Sequence, residues 1–441
     1  MAWWGSGQRP CRGLTVASPT VPAVPSFRTP TGTRDVLPPE SARWRALIAR
    51  FDRLVSLAGY GLVVSPMFEE IEVFQRVGES TDVVRKEMYD FEDKGGRHLA
   101  LRPEGTASVV RAYVQHRPTP PWKVWYCAPS FRYERPQAGR YRQHHQLGVE
   151  ALGAEDPELD VEVISLAWSL YDAIGLGRVT LVLNSIGDPV CRPAYLELLD
   201  TYLVERDAEL CGEHRQGARQ NPLRVLDCKR AECREATESA PRMVDHLCDA
   251  CALHFRGVQD GLVALGIDFL LDARLVRGFD YYTRTAFEFQ ASALESAQST
   301  IGAGGRYDGL VEALGGPPTP GVGFGIGIER VLLACDAEGV GPAPGADVEV
   351  WVIDITGSGT AGTLAWALRR AGIAADRGFD ARSMRAQMKL ADRSGARLAL
   401  IVGDQEQRSG TVSVRDLRSD GGDQRVVARD AVVALVKELL A

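Results

Sequence analysis

No apolar run in this 441-residue chain reaches the ~18–20 residues that a membrane-spanning helix needs. No GxxxxGK[ST] segment occurs, so a nucleotide would not be held by a P-loop. An excess of positive charge is also missing. The formal net charge is -7, so the chain as a whole has no attraction for nucleic acid, and any RNA contact must come from local basic patches. Lys is scarce beside Arg, which reads as genome composition rather than function. The opening residues lack the apolar core of a secretory signal. Nine cysteines, an odd number, then point to free or metal-bound thiols in a reduced cytoplasm rather than a disulfide framework. No short repeat is visible. What is present is ordinary for a globular protein, 45% hydrophobic and 25% charged, and too long for a single core. Two or three domains are expected.

Residues 1–28 lack periodicity and are rich in Pro, Ser and Gly, so they are expected to form a disordered extension or to reflect a mis-assigned start. The body opens at TPTGTRDVLPPE, ahead of a helix over about 41–58. Residues 335–346 are Pro- and Gly-rich and unpatterned, and read as a linker. Beyond it, the apolar strand VEVWVIDI and alternating helix and strand patterns give a small α/β domain over 347–441. The charged, Cys-bearing stretch 187–262 reads as a helical insertion in the larger domain, 29–334.

The densest chemical signal is KVWYCAPSFRYERPQAGRYRQHHQLGVEALG, residues 123–152, two strand-like runs around a turn. Alternation along the second strand puts Gln146, Gly148 and Glu150 on one face and His145, Leu147, Val149 and Ala151 on the other. Arg132 and Glu134 share a face of the first strand, and Arg135, Arg140 and Arg142 crowd the connection. So many like charges repel unless they meet an anion, and guanidinium forks suit phosphate oxygens. A solvated basic hairpin is the plain alternative. Gln and Glu where a sheet core wants apolar groups favour a polyphosphate site instead.

In LALRPEGTASVVRAY (99–113) a strand ends at Pro103 and a helix starts near Thr106. Glu104 at its mouth can hold a cation such as an amino group, or simply serve the helix terminus. LVRGFDYYTRTAFEF (275–289) is a strand-like run with Arg277, Tyr281 and Tyr282 near its start. GAGGRYDGL (302–310) clusters glycines, and GVGFGIGIERVLL (321–333) alternates Gly with apolar residues before opening a helix at Glu329 and Arg330. Glycine at alternate strand positions leaves a bare face against which a flat purine can lie, with Arg330 stacked on it; tight helix-on-strand packing explains the same pattern. GSGTAG (357–362), with Asp376 further on, matches a dinucleotide fingerprint, but too little chain follows for the second half of such a fold.

On the helix about 381–394, Arg382, Arg385, Lys389 and Arg393 line one face while Met384, Met388 and Ala391 face inward. The basic stripe is either solvated or a track for an RNA backbone. Cys228, Cys233, Cys248 and Cys251, with Cys211 and His254 nearby, have spacing that permits a structural zinc; the C-x4-C half is loose, so ordinary buried thiols are the preferred reading.

Together these segments resemble class II aminoacyl-tRNA synthetases, and within them the histidyl-tRNA synthetase family, over about 29–441. GYGLVVSPMFEE (59–70) is similar to motif 1, with Pro66 at a dimer interface, FRYERPQAGRYRQHHQLGVE (131–150) to motif 2, and GVGFGIGIER (321–330) to motif 3. The segments at 275–289 and 302–310 match the histidine-specific signatures. The resemblance implies an α+β catalytic domain with a mostly antiparallel sheet, a helical insertion, and a C-terminal α/β domain like those that bind anticodons. It implies a cytoplasmic homodimer that uses L-histidine, ATP with Mg²⁺, and tRNA(His). Histidine would be surrounded by Glu104, Gly105, Thr106, Arg132, Gln146, Glu150, Arg277, Tyr281 and Tyr282. Glu104 and Gln146 would lie near its amino group, and Glu150 and Tyr282 would face the imidazole. ATP would meet Arg132, Glu134, Arg140 and Arg330, with Arg277 on the far side of the α-phosphate. Catalysis is implied at Arg132, Arg277 and Arg330. Arg135 and Gln137 would meet the tRNA acceptor end, and Arg382, Arg385, Lys389 and Arg393 other parts of the RNA. No separate editing domain is evident. The rival is the catalytically inactive, synthetase-like regulatory subunit of ATP phosphoribosyltransferase, which shares the fold. The C-terminal domain and the arginine set at 132, 140, 277 and 330 oppose it.

Overall fold

The structure, a computed structural model, describes residues 27–78, 81, 83–215, 222–278, 280–295, 299–343, 348–379, 383–419 and 424–441. Nearly all of the expected extension, 1–28, therefore lies outside the described residues.

The body begins with helix α1 (Glu40–Leu57), whose Trp44, Leu47, Phe51 and Val55 recur at helical spacing and are buried. Then come β1 (Gly61–Leu62), β2 (Phe68–Glu70), α2 (Ile71–Gly78), β3 (Tyr89–Glu92), β4 (His98–Leu101) and α3 (Thr106–His116). The long hairpin is β5 (Trp122–Phe131) with β6 (Gln143–Leu152), followed by α4 (Pro157–Ala173) and β7 (Val179–Ser185). The start of α4 is set locally: Asp156 accepts the Glu158 N–H at 3.0 Å, and Pro157 occupies the first turn, where its missing N–H costs nothing. Helices α5 (Arg192–Glu205), α6 (Leu223–Leu226), α7 (Ala231–Ala236) and α8 (Asp249–Ala264) fill the insertion. Next are β8 (Phe269–Leu271), β9 (Thr283–Ala291), β10 (Thr300–Arg306), α9 (Leu310–Ala313), β11 (Gly321–Gly327) and α10 (Ile328–Glu338).

Eight strands form the main sheet in the order β1-β5-β6-β11-β10-β9-β7-β8. Its six central strands are antiparallel, and only the short outer strands β1 and β8 join in parallel, as the expected fold class requires. One face is apolar: Leu147, Val149 and Ala151 of β6, Val322, Phe324 and Ile326 of β11, and Phe287 and Phe289 of β9 pack against α1, α4 and α8. This is the face that alternation assigns to Leu147, Val149 and Ala151. Burying each large side chain there stabilises by roughly 1.5–3 kcal/mol. The opposite face is left for polar groups.

Two boundaries differ from expectation. Residues 275–289 are not one strand: β9 starts at Thr283, and Arg277, Tyr281 and Tyr282 sit in the loop before it. Asn184 holds this loop through its side-chain amide, donating to the Leu275 carbonyl at 2.9 Å. The supposed linker also starts too early, because Cys335–Glu338 complete the last turn of α10. The helix stops at Gly339, whose φ of 70° is the left-handed conformation glycine adopts without strain. The insertion has its own small core, including Tyr195, Leu199, Leu203, Val225 and Met243. Its α8, however, sends Phe255, Val258 and Leu262 into the main core.

The C-terminal part has a five-stranded sheet built from β12 (Val350–Asp354), β13 (Ala375–Arg377), β14 (Leu398–Val402), β15 (Thr411–Asp416) and β16 (Gln424–Ala428). Its helices are α11 (Thr360–Arg370), α12 (Met384–Ser394), α13 (Asp404–Ser409) and α14 (Val432–Leu440). The order is β13-β12-β14-β15-β16, parallel through β14 and antiparallel beyond it. GSGTAG does link a strand to a helix here, but the antiparallel half is not that of a dinucleotide fold.

Candidate active site

Strand register builds the floor of the site. Pairing places Tyr126, Gly148, Gly325, Ala303 and Glu288 in one row across the sheet, and Val124, Glu150, Gly323, Gly305 and Ala286 in the next. A third row pairs Ala128, Gln146 and Gly327. Glycines occupy the middle of the first two rows, at 148 and 325 and at 323 and 305, which leaves room for the side chains of Tyr126 and Glu150 beside them. A Cβ at Gly148 or Gly105 would collide with the Tyr126 ring, and one at Gly323 with the Glu150 carboxylate.

Above this floor is a cavity of about 690 Å³. It is lined by Glu104, Thr106, Gln146, Tyr281 and Tyr282, and by Arg132, Glu134, Arg140, Arg277 and Arg330. Glu150 lies beneath, fully buried. Its carboxylate accepts from Thr106 Oγ1 at 2.7 Å, Tyr307 OH at 2.5 Å and Tyr126 OH at 3.3 Å. Burial pushes its pKa up to about 8, with Glu104 nearby adding to the rise and the three hydroxyls opposing it. A carboxyl poised there can accept from, or exchange a proton with, a nitrogen heterocycle. Glu104 accepts the N–H groups of Thr106 at 2.6 Å and Ala107 at 2.8 Å, so it does serve the terminus of α3. It also lines the cavity, and burial raises its pKa against those hydrogen bonds.

The cationic groups are held by backbone and by one another's partners. Arg132 donates from Nε to the Pro103 carbonyl at 2.9 Å. Arg330 donates to the Gly139 carbonyl at 3.2 Å and the Thr300 carbonyl at 2.7 Å, which fixes its guanidinium at the cavity wall that also includes Gly325 and Gly327 of β11. Arg277 meets Glu288 at 2.7 Å and stands 5.3 Å from the centre of the Tyr282 ring. Arg140 is 3.4 Å from Glu134, and Arg132 is 3.9 Å from it. Burial lowers the pKa of Arg330, and repulsion from Arg140 and Arg132 adds to the effect. Burial, then Arg132 and other cations, depresses His144 to about 3, so its imidazole stays neutral at ordinary pH. Crowded, preset cations that disfavour one another are relieved by a polyphosphate.

Some expected site residues lie elsewhere. Arg135 and Gln137 are exposed on the loop between β5 and β6. Arg385, Lys389 and Arg393 are exposed on α12, with Met384, Met388 and Ala391 turned to the adjoining core, while Arg382 lies outside the described residues. Sequence reading missed Tyr126, His144, Glu288 and Tyr307. Tyr126 could have been found by carrying the Gln146–Gly148–Glu150 face across the hairpin, since its register partner is Gly148. Tyr307 lies in the 302–310 segment already singled out, but nothing local shows that it reaches Glu150, 157 residues away.

The four cysteines offered as one zinc set belong to two clusters. Cys228 and Cys233 group with Cys211 and His214, whereas Cys248 and Cys251 group with Asp188 and Cys191. His254 belongs to neither; its Nε2 is 3.6 Å from buried Asp160. The missed signal is C-x2-H at Cys211–His214.

A family model described as histidyl-tRNA synthetase matches residues 32–193 and 207–331, and one described as an anticodon binding domain matches 349–439. A histidine–tRNA ligase of Moorella thermoacetica is 50% identical over 422 residues, 93% of this chain and 98% of that protein. One of Rhodococcus erythropolis is 48% identical, covering 94% of this chain and 98% of the relative. Among solved structures, apo histidyl-tRNA synthetase of S. aureus aligns with a TM-score of 0.78 at 36% identity, over 93% of this chain and all of that one. An ATP phosphoribosyltransferase regulatory subunit/histidyl-tRNA synthetase from Bacillus halodurans C aligns at 0.61 with 20% identity, over 83% of this chain and 96% of that one, a likeness of fold.

Proposed function

The chain belongs to the histidyl-tRNA synthetase family, and from that membership we propose how its cavity carries out histidine–tRNA ligation. The enzyme is an ATP-dependent aminoacyl-tRNA ligase. Histidine lies above the floor, its amino group toward Glu104 and Gln146, its imidazole toward Glu150 and Tyr282, with Gly105, Thr106 and Tyr281 closing the slot. ATP lies toward the glycine edge of β11, with adenine against Arg330, its α-phosphate between Arg132 and Arg277, and its γ-phosphate at Arg140.

The histidine carboxylate attacks the α-phosphorus, the bond to the β-phosphate oxygen breaks, and pyrophosphate leaves. The terminal ribose hydroxyl of tRNA(His) then attacks the histidyl carbonyl and AMP leaves. No protein nucleophile is needed. The chain's own contribution is alignment, and fixed positive charge where negative charge builds at phosphorus. Mg²⁺ fits this reading: Glu134 is a carboxylate at the phosphate end with only loose ion pairs, at 3.4 and 3.9 Å. With one or two carboxylates and the phosphates as ligands, the ion would supply charge neutralisation there.

The wider arrangement follows the same reading. Residues 29–338, through the end of α10, form the catalytic domain and 347–441 the anticodon-binding domain, which meets tRNA through Arg385, Lys389 and Arg393. The loop with Arg135 and Gln137 meets the acceptor end. Leu62, Val64, Met67 and Phe68 are large, exposed apolar side chains around Pro66, which supports a homodimer closed through this segment. Among the described residues no helix is long and apolar enough to cross a membrane, and we place the enzyme in the cytoplasm.

One observation carries the assignment: Arg132, Arg140, Arg277 and Arg330 line the same cavity as Glu104 and Gln146, with Glu150 buried behind the lining residues Thr106 and Tyr126. A regulatory subunit without catalysis has no need of that cationic set. Pyrophosphate exchange into ATP, measured across the twenty amino acids, is expected with histidine alone. Absence of exchange with histidine, or equal exchange with another amino acid, overturns the assignment.

A further inference from the structure

The insertion brings three thiols and an imidazole together from two separate segments. Cys211 and His214 follow α5, and Cys228 and Cys233 bracket the connection from α6 into α7. Among these four residues, the Cys sulfurs and one His nitrogen lie within 4.8 Å of one another. His214 presents Nδ1 to Cys211 Sγ at 3.3 Å and to Cys233 Sγ at 3.6 Å. A tetrahedral zinc with bonds of ~2.3 Å to sulfur and ~2.0–2.1 Å to nitrogen requires a sulfur–nitrogen edge of ~3.5 Å and a sulfur–sulfur edge of ~3.8 Å. The two sulfur–nitrogen distances, 3.3 and 3.6 Å, bracket that edge, and every other pair of the four atoms lies within 4.8 Å. We propose that Cys211, His214, Cys228 and Cys233 bind a structural zinc ion that ties the two segments of the insertion together.

Three further features fit a closed structural site. Cys211 and Cys233 are buried, and the other two ligands are half-buried, so solvent reaches the cluster on one side only. The Cys211 backbone N–H donates to Cys233 Sγ at 3.3 Å, which ties the sulfur contributed by one segment to the backbone of the other. The spacings C-x2-H and C-x4-C are short enough for each pair to clamp the ion from one turn of chain. The neighbouring cluster of Cys191, Cys248, Cys251 and Asp188 differs in kind. Its carboxylate already accepts the N–H groups of Val190 at 2.9 Å and Cys191 at 3.2 Å at the start of α5. The imidazole-bearing cluster is therefore the one assigned a metal.

Zinc here would also steady the active-site cavity. Cys228 lies in the wall formed by Leu226, Asp227, Cys228 and Lys229. That wall hangs on helices of four and six residues, too short to hold their shape unaided. A zinc anchored at Cys211 and His214 fixes it.

The test uses the full-length protein, purified without chelator, with zinc measured by elemental analysis. Wild type is expected to carry about one zinc equivalent more than Cys228→Ser/Cys233→Ser, while Cys127→Ser, an exposed thiol outside both clusters, keeps the wild-type content. Cobalt(II) supplied in place of zinc should give tetrahedral visible absorption and near-ultraviolet thiolate charge transfer. Because the double variant could lose zinc by misfolding, His214→Cys gives the second reading: it should retain the metal and raise the charge-transfer intensity by about a third. Equal zinc in wild type and the double variant, a wild type that takes up neither zinc nor cobalt, or a charge-transfer band unchanged in His214→Cys would each overturn the site. So would a disulfide among the three cysteines. None of these outcomes depends on whether histidine supports pyrophosphate exchange.

Discussion

Glu150 sits, fully buried, in surroundings far from those of a free side chain. Its carboxyl titrates near 8 in the folded chain and near 4.5 in an unfolded one. Between those values the folded state holds a proton that the unfolded state has released, so stability falls as pH rises through this window, by on the order of a few kcal/mol. Glu150→Gln keeps an acceptor for Tyr307 and Thr106 but cannot ionise. Denaturant titrations at pH 6 and pH 8 should show wild type losing stability at the higher pH and the variant losing much less; parallel losses would mean the carboxyl is not held protonated. A second residue-scale prediction concerns Arg277. Arg277→Ala should leave histidine binding in place and cut pyrophosphate exchange by a factor on the order of 10²–10³. The substitution also strands Glu288, so the double variant Arg277→Ala/Glu288→Gln is the control. An equal deficit in both assigns the effect to the missing guanidinium, and a recovered rate assigns it to the unpaired carboxylate. These two sites differ in how far the chain discloses them. Glu150 is legible because alternation along β6 sets Gln146 and Glu150 on one face and the apolar Leu147, Val149 and Ala151 on the other. Its partners differ in this respect: Tyr126 follows once the face is carried across the hairpin, whereas Tyr307 reaches Glu150 only after the chain beyond β10 has folded back.

At the scale of elements, the glycines of β11 carry unequal demands, although the sequence presents them as one alternating pattern. At Gly323 an added Cβ would collide with the Glu150 carboxylate and the Val149 carbonyl, and a backbone carbonyl in a central strand cannot swing away. At Gly327 the nearest atoms are Arg330 carbons at 3.9 to 4.0 Å, ordinary van der Waals distance. Gly323→Ala should destabilise by about 1–3 kcal/mol through overpacking. Gly327→Ala should leave stability unchanged or raise it by about 0.4–1 kcal/mol through the unfolded chain. Thermal unfolding of the two variants without substrate separates them, and similar melting points would refute the packing account. Periodicity and punctuation made most elements legible: α1 through its 3- and 4-residue apolar spacing, and the hairpin of β5 and β6 through alternation around Pro136 and Gly139. They failed where tertiary contacts overrule local pattern. The run 275–289 is apolar and aromatic enough to read as strand throughout, yet Arg277 and Tyr282 are held as loop by Glu288 and by Arg192, which donates to the Tyr282 carbonyl at 2.6 Å.

For the whole molecule, the decisive fact is that apolar burial divides cleanly. Val350, Val352, Leu364, Leu368, Leu398, Leu400 and Val436 form a core with no member from the eight-stranded part, and the cluster around Trp351 and Ala391 behaves likewise. On the proposed function, chemistry at the α-phosphate and recognition of RNA would draw on separately packed cores, and one could be altered without emptying the other. The exposed cations of α12 put this to use. Arg385, Lys389 and Arg393 stand on the helix face away from Ala391, where replacing them empties no core. Changing all three to Ala should leave histidine-dependent pyrophosphate exchange at the wild-type rate, because that reaction needs no tRNA. Charging of tRNA(His) should weaken, with a raised KM. If the three side chains neutralise phosphates, the slope of log affinity against log salt should fall by about one for each phosphate left unneutralised. An unaltered salt slope would mean that this stripe only faces solvent. A matching loss of exchange would mean that the two cores are coupled after all.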